Sequence, residues 1–529
     1  MALAAGSTIA AAPAGSGETV SVIVRAADAS AAGAAVETVG GEVTIELPIV
    51  EGVAADVPAG RLAALDALPG VEVSDNAPVQ VQGKPSKPPK PPKDPPPPPP
   101  PPPPDPTPAF VTAVGGKTLW DAGFTGTGIT VAVIDTGIAE VVPDLADRVK
   151  DGIDFSGENN PKLDSFGHGT FVAGLIAGDG TDTSHDGVAP GASVLPIKIA
   201  GQDGSSDVAH VLAALQWAVS FKDEHGIRII NLSLGTDSTQ PYRRSPLNYA
   251  VEKAWDAGIV VVVSASNRGL DGRGTVTKPA DDPLVITVGA TDDRRTGTPT
   301  DDVMAGFSGM GPTKADGLTK PDVVAPGKSV VSLRAPGSKI DTEYPSSRVP
   351  SGQDDADYFI GSGTSFSSAI TAGGIALLLQ HRPALTPNQV KALVMENALK
   401  GPSKDANVSG AGRLNVAAAA FDTTIGQANR NVPRSLGTGS LQADRGSLQT
   451  EFVNELNVPT LLTGLLTPQG TPFNQTQFLT TAWTGTNWYT SQWAGTNWYG
   501  TNWYGTNWYG TNWYSTNWYG ATWYAAGWD

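Results

Sequence analysis

Four polar residues that lie far apart in the chain have side chains suited to acyl-transfer chemistry: Asp135, His168, Asn267 and Ser365. A serine hydroxyl becomes a nucleophile when a neighbouring base takes its proton, and histidine, whose usual pKa is near neutrality, suits that task. A carboxylate can orient the histidine, and a side-chain amide can donate to the oxyanion that develops on the substrate. If the fold brings them together, these four residues would suffice to hydrolyse an acyl bond.

Taken singly, each residue has an ordinary structural explanation. Ser365 stands where a Gly-bearing loop in the segment GSGTSFSSAITAGG becomes an apolar helix, and a serine at such a position most often caps the helix. His168 lies between two glycines before another apolar segment, where a lone histidine is usually a loop residue. Asp135 and Asn267 each follow an apolar run, as loop-capping and turn residues commonly do. The fold that surrounds the four residues therefore decides between these explanations and catalysis.

The elements that must position the four residues fall within residues 110–421, where strand-like apolar runs alternate with helical stretches. The pattern predicts strands over 129–134, 194–199, 227–232, 259–264 and 284–288, and helices over 171–176, 208–222 and 249–257. Strands that alternate with helices form a mostly parallel sheet with helices on both faces, so the predicted fold class is α/β. Ligands bind beyond the carboxyl ends of such strands, which is where Asp135 and Asn267 are expected.

The order of the candidate residues along the chain, and the segments around them, resemble the subtilase family of subtilisin-like serine proteases. Seven segments carry the resemblance in the family's order: VAVIDTGI, GHGTFVAGLIAG, GVAPGASV, IINLSLG, SASNRG, KPDVVAPG and GTSFSSAITAG. The resemblance implies that Ser365 attacks the peptide carbonyl, that His168 takes its proton, and that Asp135 orients His168. It also implies that Asn267 and the backbone N–H of Ser365 form the oxyanion hole.

The resemblance also implies how substrates bind. Ser233, Leu234 and Gly235 would line the specificity pocket and pair with the backbone of a protein or peptide substrate as an added strand. No cofactor is implied for catalysis, but many relatives bind structural calcium. Candidate carboxylates are Asp144, Asp147, Asp179 and Asp182. Their spacing does not select a coordination set, so the metal ligands stay open.

The sequence departs from the family's pattern close to the predicted site. Phe366 and Ser367 stand where relatives usually have Met-Ala, and Ala369 and Ile370 stand where they have Pro-His. Ser266 replaces the usual glycine before the oxyanion asparagine. None of these changes removes a catalytic group, so we expect an active enzyme in which Phe366 alters the packing behind the nucleophile.

The residues before the catalytic domain divide into three parts. Residues 1–17 are either the remnant of a signal peptide or a flexible arm. Residues 18–83 predict a β-α-β-β-α-β module that is similar to the family's inhibitory prodomain, with residues 76–83 entering the substrate cleft; a small independent binding module is the alternative. Residues 84–109 are a proline-rich linker that favours the stiff polyproline II conformation.

The residues after the catalytic domain have a different composition. Residues 422–480 are polar with little periodicity and predict a linker region. Residues 481–529 are a repeat tail in which a tryptophan recurs every five residues from Trp483 to Trp528. This period fits neither a helix nor a strand, so we expect either one turn per repeat or no fixed structure. Contact with a cell wall or glycan, self-association, and removal on maturation are the alternatives for the tail.

Composition limits the remaining choices. The 529 residues carry a net charge of −17, which argues against nucleic acid or an anionic membrane as a partner. The chain contains no cysteine, so disulfides and thiolate metal sites are excluded. We expect a secreted serine endopeptidase made as a self-processed zymogen, whose own prodomain is a partner. The alternative is a surface-attached adhesion or glycan-binding protein that uses the subtilase domain as a scaffold.

Overall fold

The structure is a computed structural model that describes residues 19–47, 52–75, 108–145, 147–180, 185–349, 358–446, 449–453, 459–461, 464, 472–480, 483, 518–519 and 522–523. The chain divides into two compact units, Met1–Pro101 and Pro102–Asp529. No helix in these described ranges combines the length and the apolar character needed to cross a membrane.

The first unit is a small α+β module. Its elements are β1 (Thr19–Arg25), α1 (Ala29–Thr38), β2 (Glu42–Leu47), β3 (Gly52–Pro58), α2 (Leu62–Asp66) and β4 (Glu72–Asp75). The strands pair antiparallel in the order β2-β3-β1-β4. The Asp28 side chain caps α1 by accepting the N–H of Ala31, and Val24, Val36 and Leu65 lie in the core. The predicted β-α-β-β-α-β order is confirmed, whereas residues 76–83 lie outside the described ranges.

The second unit contains the remaining elements. Its strands are β5 (Thr130–Asp135), β6 (Ile153–Asp154), β7 (Ser193–Lys198), β8 (Ile227–Leu232), β9 (Leu234–Gly235), β10 (Val260–Ser264), β11 (Ile286–Asp292), β12 (Val303–Met304), β13 (Val323–Pro326), β14 (Val330–Leu333), β15 (Arg348–Val349), β16 (Tyr358–Gly361), β17 (Gln449–Val453), β18 (Pro459–Leu461), β19 (Trp518–Tyr519) and β20 (Thr522–Trp523). Its helices are α3 (Ala109–Ala113), α4 (Gly116–Asp121), α5 (His168–Ala177), α6 (Val208–Ser220), α7 (Lys222–His225), α8 (Pro246–Asp256), α9 (Lys339–Glu343), α10 (Thr364–His381), α11 (Pro387–Glu396), α12 (Ala406–Ser409), α13 (Val416–Phe421), α14 (Leu441–Arg445) and α15 (Gln475–Thr480).

An eight-stranded sheet forms the centre of this unit, in the order β12-β11-β10-β8-β5-β7-β6, with β13 also paired to β11. Every pairing in it is parallel except that of β11 with β12. The central strands are nearly continuous runs of Val and Ile because both faces of the sheet are covered by helices. α5 packs with α10, and α6 packs with α8. The predicted α/β fold with a mostly parallel sheet is therefore confirmed.

Helix α10, which carries Ser365, runs through the middle of the core. Its residues from Thr364 to Leu379 are all buried, as expected for a helix that is apolar around its whole circumference. Gly373 and Gly374 permit this close packing, because a Cβ at Gly373 would lie 2.8 Å from the Val188 Cβ. The start of α10 is thus fixed relative to the sheet.

The structure corrects the prediction of a polar linker over residues 422–480. Leu441, Phe473 and Phe478 belong to the core of the second unit. Asp444 and Arg445 are also fully buried there. The widely spaced apolar residues gave no periodic signal, yet this extension is held against the sheet and helices by buried hydrogen bonds and by a few large side chains.

Candidate active site

Asp135 and His168 meet at the carboxyl end of β5. Asp135 is the last residue of that strand, and His168 is the first residue of α5. The Nδ1 atom of His168 lies 2.9 Å and 3.0 Å from the two carboxylate oxygens of Asp135, and neither side chain is exposed. The predicted pair is therefore in direct contact, with Nδ1 as the atom that faces the carboxylate.

Glycines on each side of His168 allow this approach. Gly167 has φ 110°, and a Cβ there would lie 2.5 Å from the Ser338 Oγ. A Cβ on Gly169 would lie 2.1 Å from the backbone oxygen of Gly137. A side chain at Gly169 would push α5 away from the end of β5 and separate His168 from Asp135, whereas one at Gly167 would displace Ser338 at the start of α9.

Asp164 is a positioning residue that sequence analysis missed. Its carboxylate accepts the hydroxyl of Thr136 at 2.8 Å and the N–H groups of Gly167 and Thr170 at 2.7 Å each. The backbone N–H of Thr136 in turn donates to Asp135 at 2.8 Å. Asp164 thus ties the end of β5 to the start of α5. The acidic residue four positions before His168 is the only sequence signal for it.

Burial raises the pKa of the Asp135 carboxyl, although the neighbouring His168 and the N–H of Thr136 lower it in part. The desolvated carboxylate is stabilised mainly by an N–H at His168 Nδ1. The arrangement therefore favours the neutral tautomer that carries its proton on Nδ1 over the tautomer that carries it on Nε2.

Ser365 is the second residue of α10. Its hydroxyl donates to the backbone oxygen of Ser233 at 3.1 Å. The next side chain, Phe366, lies with its ring centroid 5.8 Å from the ring of His168 and 4.3 Å from the ring of Phe171. The start of α10 therefore packs against the start of α5. The larger side chain of Phe366 is accommodated by these aromatic contacts, and it is fully buried.

Asn267 is fixed beside the nucleophile candidate by its carbonyl. Its Oδ1 accepts the backbone N–H of Thr364 at 2.9 Å and the Thr364 hydroxyl at 3.0 Å. A backbone N–H can only donate, so these bonds determine which end of the amide faces Thr364. Its Nδ2 atom is buried and has no hydrogen-bond partner among the described residues. A preorganised donor of this kind is suited to a developing oxyanion.

Ser266 adopts the left-handed conformation that the usual glycine would accept without cost. Its φ is 111°, which costs about 1–3 kcal/mol for a residue with a side chain. Its hydroxyl donates to the backbone oxygen of Thr275, and its own backbone oxygen accepts the N–H of Gly309 at 2.8 Å. These bonds offset part of the strain and hold the loop that carries Asn267.

The predicted substrate-binding residues lie next to Ser365. The Ser233 hydroxyl accepts a bond from Asn231 at 2.8 Å and contacts Ser368 at 3.2 Å. Leu234 and Gly235 form the buried strand β9. β9 pairs antiparallel with β20 from the C-terminal repeat, so an extended segment already lies along it.

Two of the calcium candidates, Asp144 and Asp179, lie near Arg148. Asp144 accepts the Tyr358 hydroxyl at 2.6 Å, and it shares with Asp179 an electrostatic contact to Arg148. Asp182 lies outside the described residues. Within the described ranges, no three His, Cys, Asp or Glu side chains come close enough to hold a metal ion.

Comparisons with known proteins give the family of the chain. The profile of the Subtilase family matches residues 126–439. The chain is 41% identical over 298 residues to serine protease AprX of Bacillus subtilis (strain 168), covering 55% of this chain and 66% of AprX, just under two thirds. It is 34% identical over 299 residues to Subtilisin DY of Bacillus licheniformis, covering 56% of this chain and 93% of that protein. The chain therefore belongs to the subtilase family.

A solved structure described as a cold adapted subtilisin-like serine proteinase also aligns with this chain. The two are 26% identical, with a TM-score of 0.46, and the alignment covers 59% of this chain and 99% of the other.

Proposed function

We propose that the chain is a secreted serine endopeptidase that hydrolyses peptide bonds through Asp135, His168 and Ser365. The observation that carries the proposal is the contact of His168 Nδ1 with both oxygens of the buried Asp135 carboxylate. This contact holds the Nδ1 proton and leaves Nε2 as the basic atom of the ring, which is the atom a serine nucleophile needs.

The proposed reaction assigns one role to each of these groups. Ser365 Oγ attacks the peptide carbonyl while its proton passes to His168 Nε2. Asp135 stabilises the resulting imidazolium. Nδ2 of Asn267 and the backbone N–H of Ser365 donate to the oxyanion. When the tetrahedral intermediate collapses, the C–N bond breaks and the leaving amine takes the proton from His168.

The second half of the reaction regenerates the enzyme. A water molecule attacks the acyl-enzyme carbonyl and gives its proton to His168, and the Ser365 oxygen leaves and recovers that proton. Each step uses only side chains, backbone groups and water, so no cofactor takes part. Structural calcium is compatible with this scheme, and its ligands remain open.

Protein substrates would bind as an added strand on β9. Leu234 and Gly235 offer backbone groups next to the Ser365 hydroxyl, which is bonded to the oxygen of Ser233. An extended substrate in that place would carry its scissile carbonyl past the nucleophile. β9 would thus bind the main chain of the substrate, and the pocket around β9 would set the side-chain preference.

Maturation is proposed to begin with the N-terminal module. Its β-α-β-β-α-β architecture supports a role as an inhibitory prodomain, and cleavage near Gln82 and Gly83 would release it. Cleavage near Phe110, after the proline-rich linker, is the alternative. Sequencing the mature N-terminus by mass spectrometry, from the culture medium and from washed cells, would decide both the site and the proposed secretion.

The experiment that tests the proposed function compares Ser365→Ala with Ser367→Ala. Ser367 lies in the same helix and donates to the Ala325 oxygen at 3.0 Å, so its substitution alters α10 without touching the proposed chemistry. We expect Ser365→Ala to abolish both maturation and casein hydrolysis, and Ser367→Ala to retain them. Maturation and hydrolysis by Ser365→Ala would show that Ser365 is not the nucleophile.

A further inference from the structure

The end of the C-terminal repeat lies on the strand that substrates are proposed to use. In the antiparallel pairing of β20 with β9, Thr522 is opposite Gly235 and Trp523 is opposite Leu234. β9 follows directly after Ser233, whose backbone oxygen accepts the Ser365 hydroxyl at 3.1 Å. A chain segment paired with β9 therefore lies next to the nucleophile candidate.

We propose that residues 522–523 act as an intramolecular inhibitor, which pairs with β9 as a substrate strand would and excludes substrate from it. The inference rests on the proposed function, in which β9 binds the substrate backbone. Two extended segments cannot both bond to the same edge of β9, because each N–H and C=O of that edge is available to one partner strand. The tail and a protein substrate are thus competitors.

The extension that precedes the repeat tail is anchored beside β9. Thr236, which follows β9, donates through its hydroxyl to the Asp444 backbone oxygen at 2.6 Å. The Asp444 carboxylate accepts the Ser245 hydroxyl at 2.7 Å and the Leu247 N–H at 2.9 Å. Arg445 forms a buried ion pair with Asp207 at 2.7 Å. α14 is therefore fixed next to the end of β9, the strand with which β20 pairs.

A second strand pairing holds the tail close to α14. β17 follows α14 after a short interval, and β19 pairs with it antiparallel, with Gln449 opposite Tyr519 and Thr450 opposite Trp518. Only residues 520–521 separate β19 from β20. α14, β17 and β19 thus hold β20 close to β9. The binding of β20 to β9 is therefore intramolecular, and β20 has a high effective concentration at β9.

The sequence of the paired repeat is suited to strand formation. Thr522 stands directly before a tryptophan, where Asn487, Asn497 and Asn502 stand in other repeats. Threonine, tryptophan and tyrosine are enriched in strands, whereas asparagine is depleted. No charged residue occurs from Leu456 to Trp528, so the tail lacks the charges that normally prevent pairing with a sheet edge. The segment that pairs with β9 is thus an uncharged, tryptophan-containing peptide in extended conformation.

The kinetic consequence is competitive inhibition in cis. A docked tail raises the apparent KM by a factor of one plus its docking equilibrium constant and leaves kcat unchanged. Flexible tethers give effective concentrations of about millimolar, so a segment that binds with a millimolar Kd is already half docked. With the additional β19 pairing we expect the tail to raise KM by about threefold or more.

The first test compares the full chain with two variants, using a soluble chromogenic peptide substrate. One variant ends at Ser515, and the other carries Thr522→Pro and Trp523→Pro, because proline removes N–H donors and disfavours strand pairing. The matched control is Asn507→Pro with Trp508→Pro in an upstream repeat. We expect KM to fall about threefold or more in both test variants at constant kcat, and to stay unchanged in the control. Equal KM values in all four chains would overturn the inference.

The second test does not depend on catalysis. In chains that carry Ser365→Ala and lack residues 76–83, which are expected to enter the substrate cleft of the unprocessed protein, hydrogen exchange of the amides in residues 233–236 is measured with and without residues 516–529. Faster exchange without the tail supports docking, and unchanged exchange overturns it even if the enzyme is active. If exchange reports docking but no chain with Ser365 intact hydrolyses any peptide or casein, the proposed function fails, and the inhibitory role falls with it.

Discussion

The substitution Asp135→Asn should greatly reduce catalysis while the geometry of the site stays nearly the same. An asparagine can keep the bond from the Thr136 N–H, now 2.8 Å long, through its Oδ1. Its NH2 group would then take the place of Oδ2, which lies 3.0 Å from His168 Nδ1. A donor there favours Nδ1 as an acceptor, with the ring proton on Nε2. That tautomer cannot take the proton of Ser365.

The expected loss in kcat is about 10⁴-fold, since the histidine is held in the wrong tautomer and no carboxylate stabilises the imidazolium. This corresponds to about 5 kcal/mol of transition-state stabilisation. The free energy of unfolding should change much less, because the two side chains have the same shape. Steady-state kinetics on a chromogenic peptide would give kcat. Urea unfolding of chains that also carry Ser365→Ala would give the free energy of unfolding.

Asp154→Asn is the matched control for this substitution. Asp154 is also a buried carboxylate at the end of a strand of the central sheet, and it accepts the N–H groups of Ser156 at 2.6 Å and Asn160 at 2.9 Å. Its substitution should reduce stability but leave kcat of the folded enzyme within a few-fold. If Asp135→Asn retained kcat within tenfold of the parent, the assignment of Asp135 as the orienting acid would be refuted.

Three further predictions concern the oxyanion hole and the stability of the second unit. Asn267→Asp, which keeps the Oδ1 acceptor for the Thr364 N–H but removes the Nδ2 donor, should lower kcat by about 10²–10³-fold with little change in KM, since that donor acts in the transition state; a rise in KM at unchanged kcat would contradict that role. Burial lowers the pKa of His210 to about 4, against the opposing charge of Asp207. The native state therefore resists protonation that the unfolded chain accepts, and stability is lost as pH falls through the interval from 6.5 to 4. Urea unfolding of Ser365→Ala chains would measure the free energy of unfolding at pH 7 and at pH 4.5. Between these two pH values, the chain with His210→Gln should lose about 2 kcal/mol less of this free energy than the chain with His210. Equal losses would contradict the assignment. Arg445→Met should cost about 3–5 kcal/mol of unfolding free energy because it leaves Asp207 buried without its partner. Arg434→Met, which breaks an exposed pair, should cost no more than about 1 kcal/mol, and an equal cost for the two variants would contradict the buried anchor.

Much of the catalytic unit could be predicted because its signals are local. The runs of Val and Ile identify strands that are covered on both faces, and the residues just past them mark the edge where side chains meet. The parallel order of these strands then places Asp135 near His168, and the glycines at 167 and 169 indicate the close approach of backbone segments that the structure contains.

Other contacts could not be predicted because their partners are distant in sequence and individually ordinary. Asp164 is one acidic residue in a loop, and only the fold reveals the four groups that donate to it. Asp444 and Arg445 lie in a polar stretch whose burial depends on specific hydrogen bonds, which leave no periodic pattern. The pairing of Thr522 with Gly235 joins residues that are 287 positions apart (522 minus 235), and no local property of the tail selects β9 among the sheet edges.

Covalent labelling would identify the nucleophile that His168 activates, which we propose to be Ser365. The mature protein would be treated with a fluorophosphonate probe, digested, and mapped by tandem mass spectrometry that separates Ser365 from Ser367 and Ser368. We expect one adduct, on Ser365, formed in parallel with the loss of casein hydrolysis and absent from the Asp135→Asn and Ser365→Ala chains. Hydrolysis that persists without an adduct on Ser365, or an inactivating adduct on another residue, would contradict it.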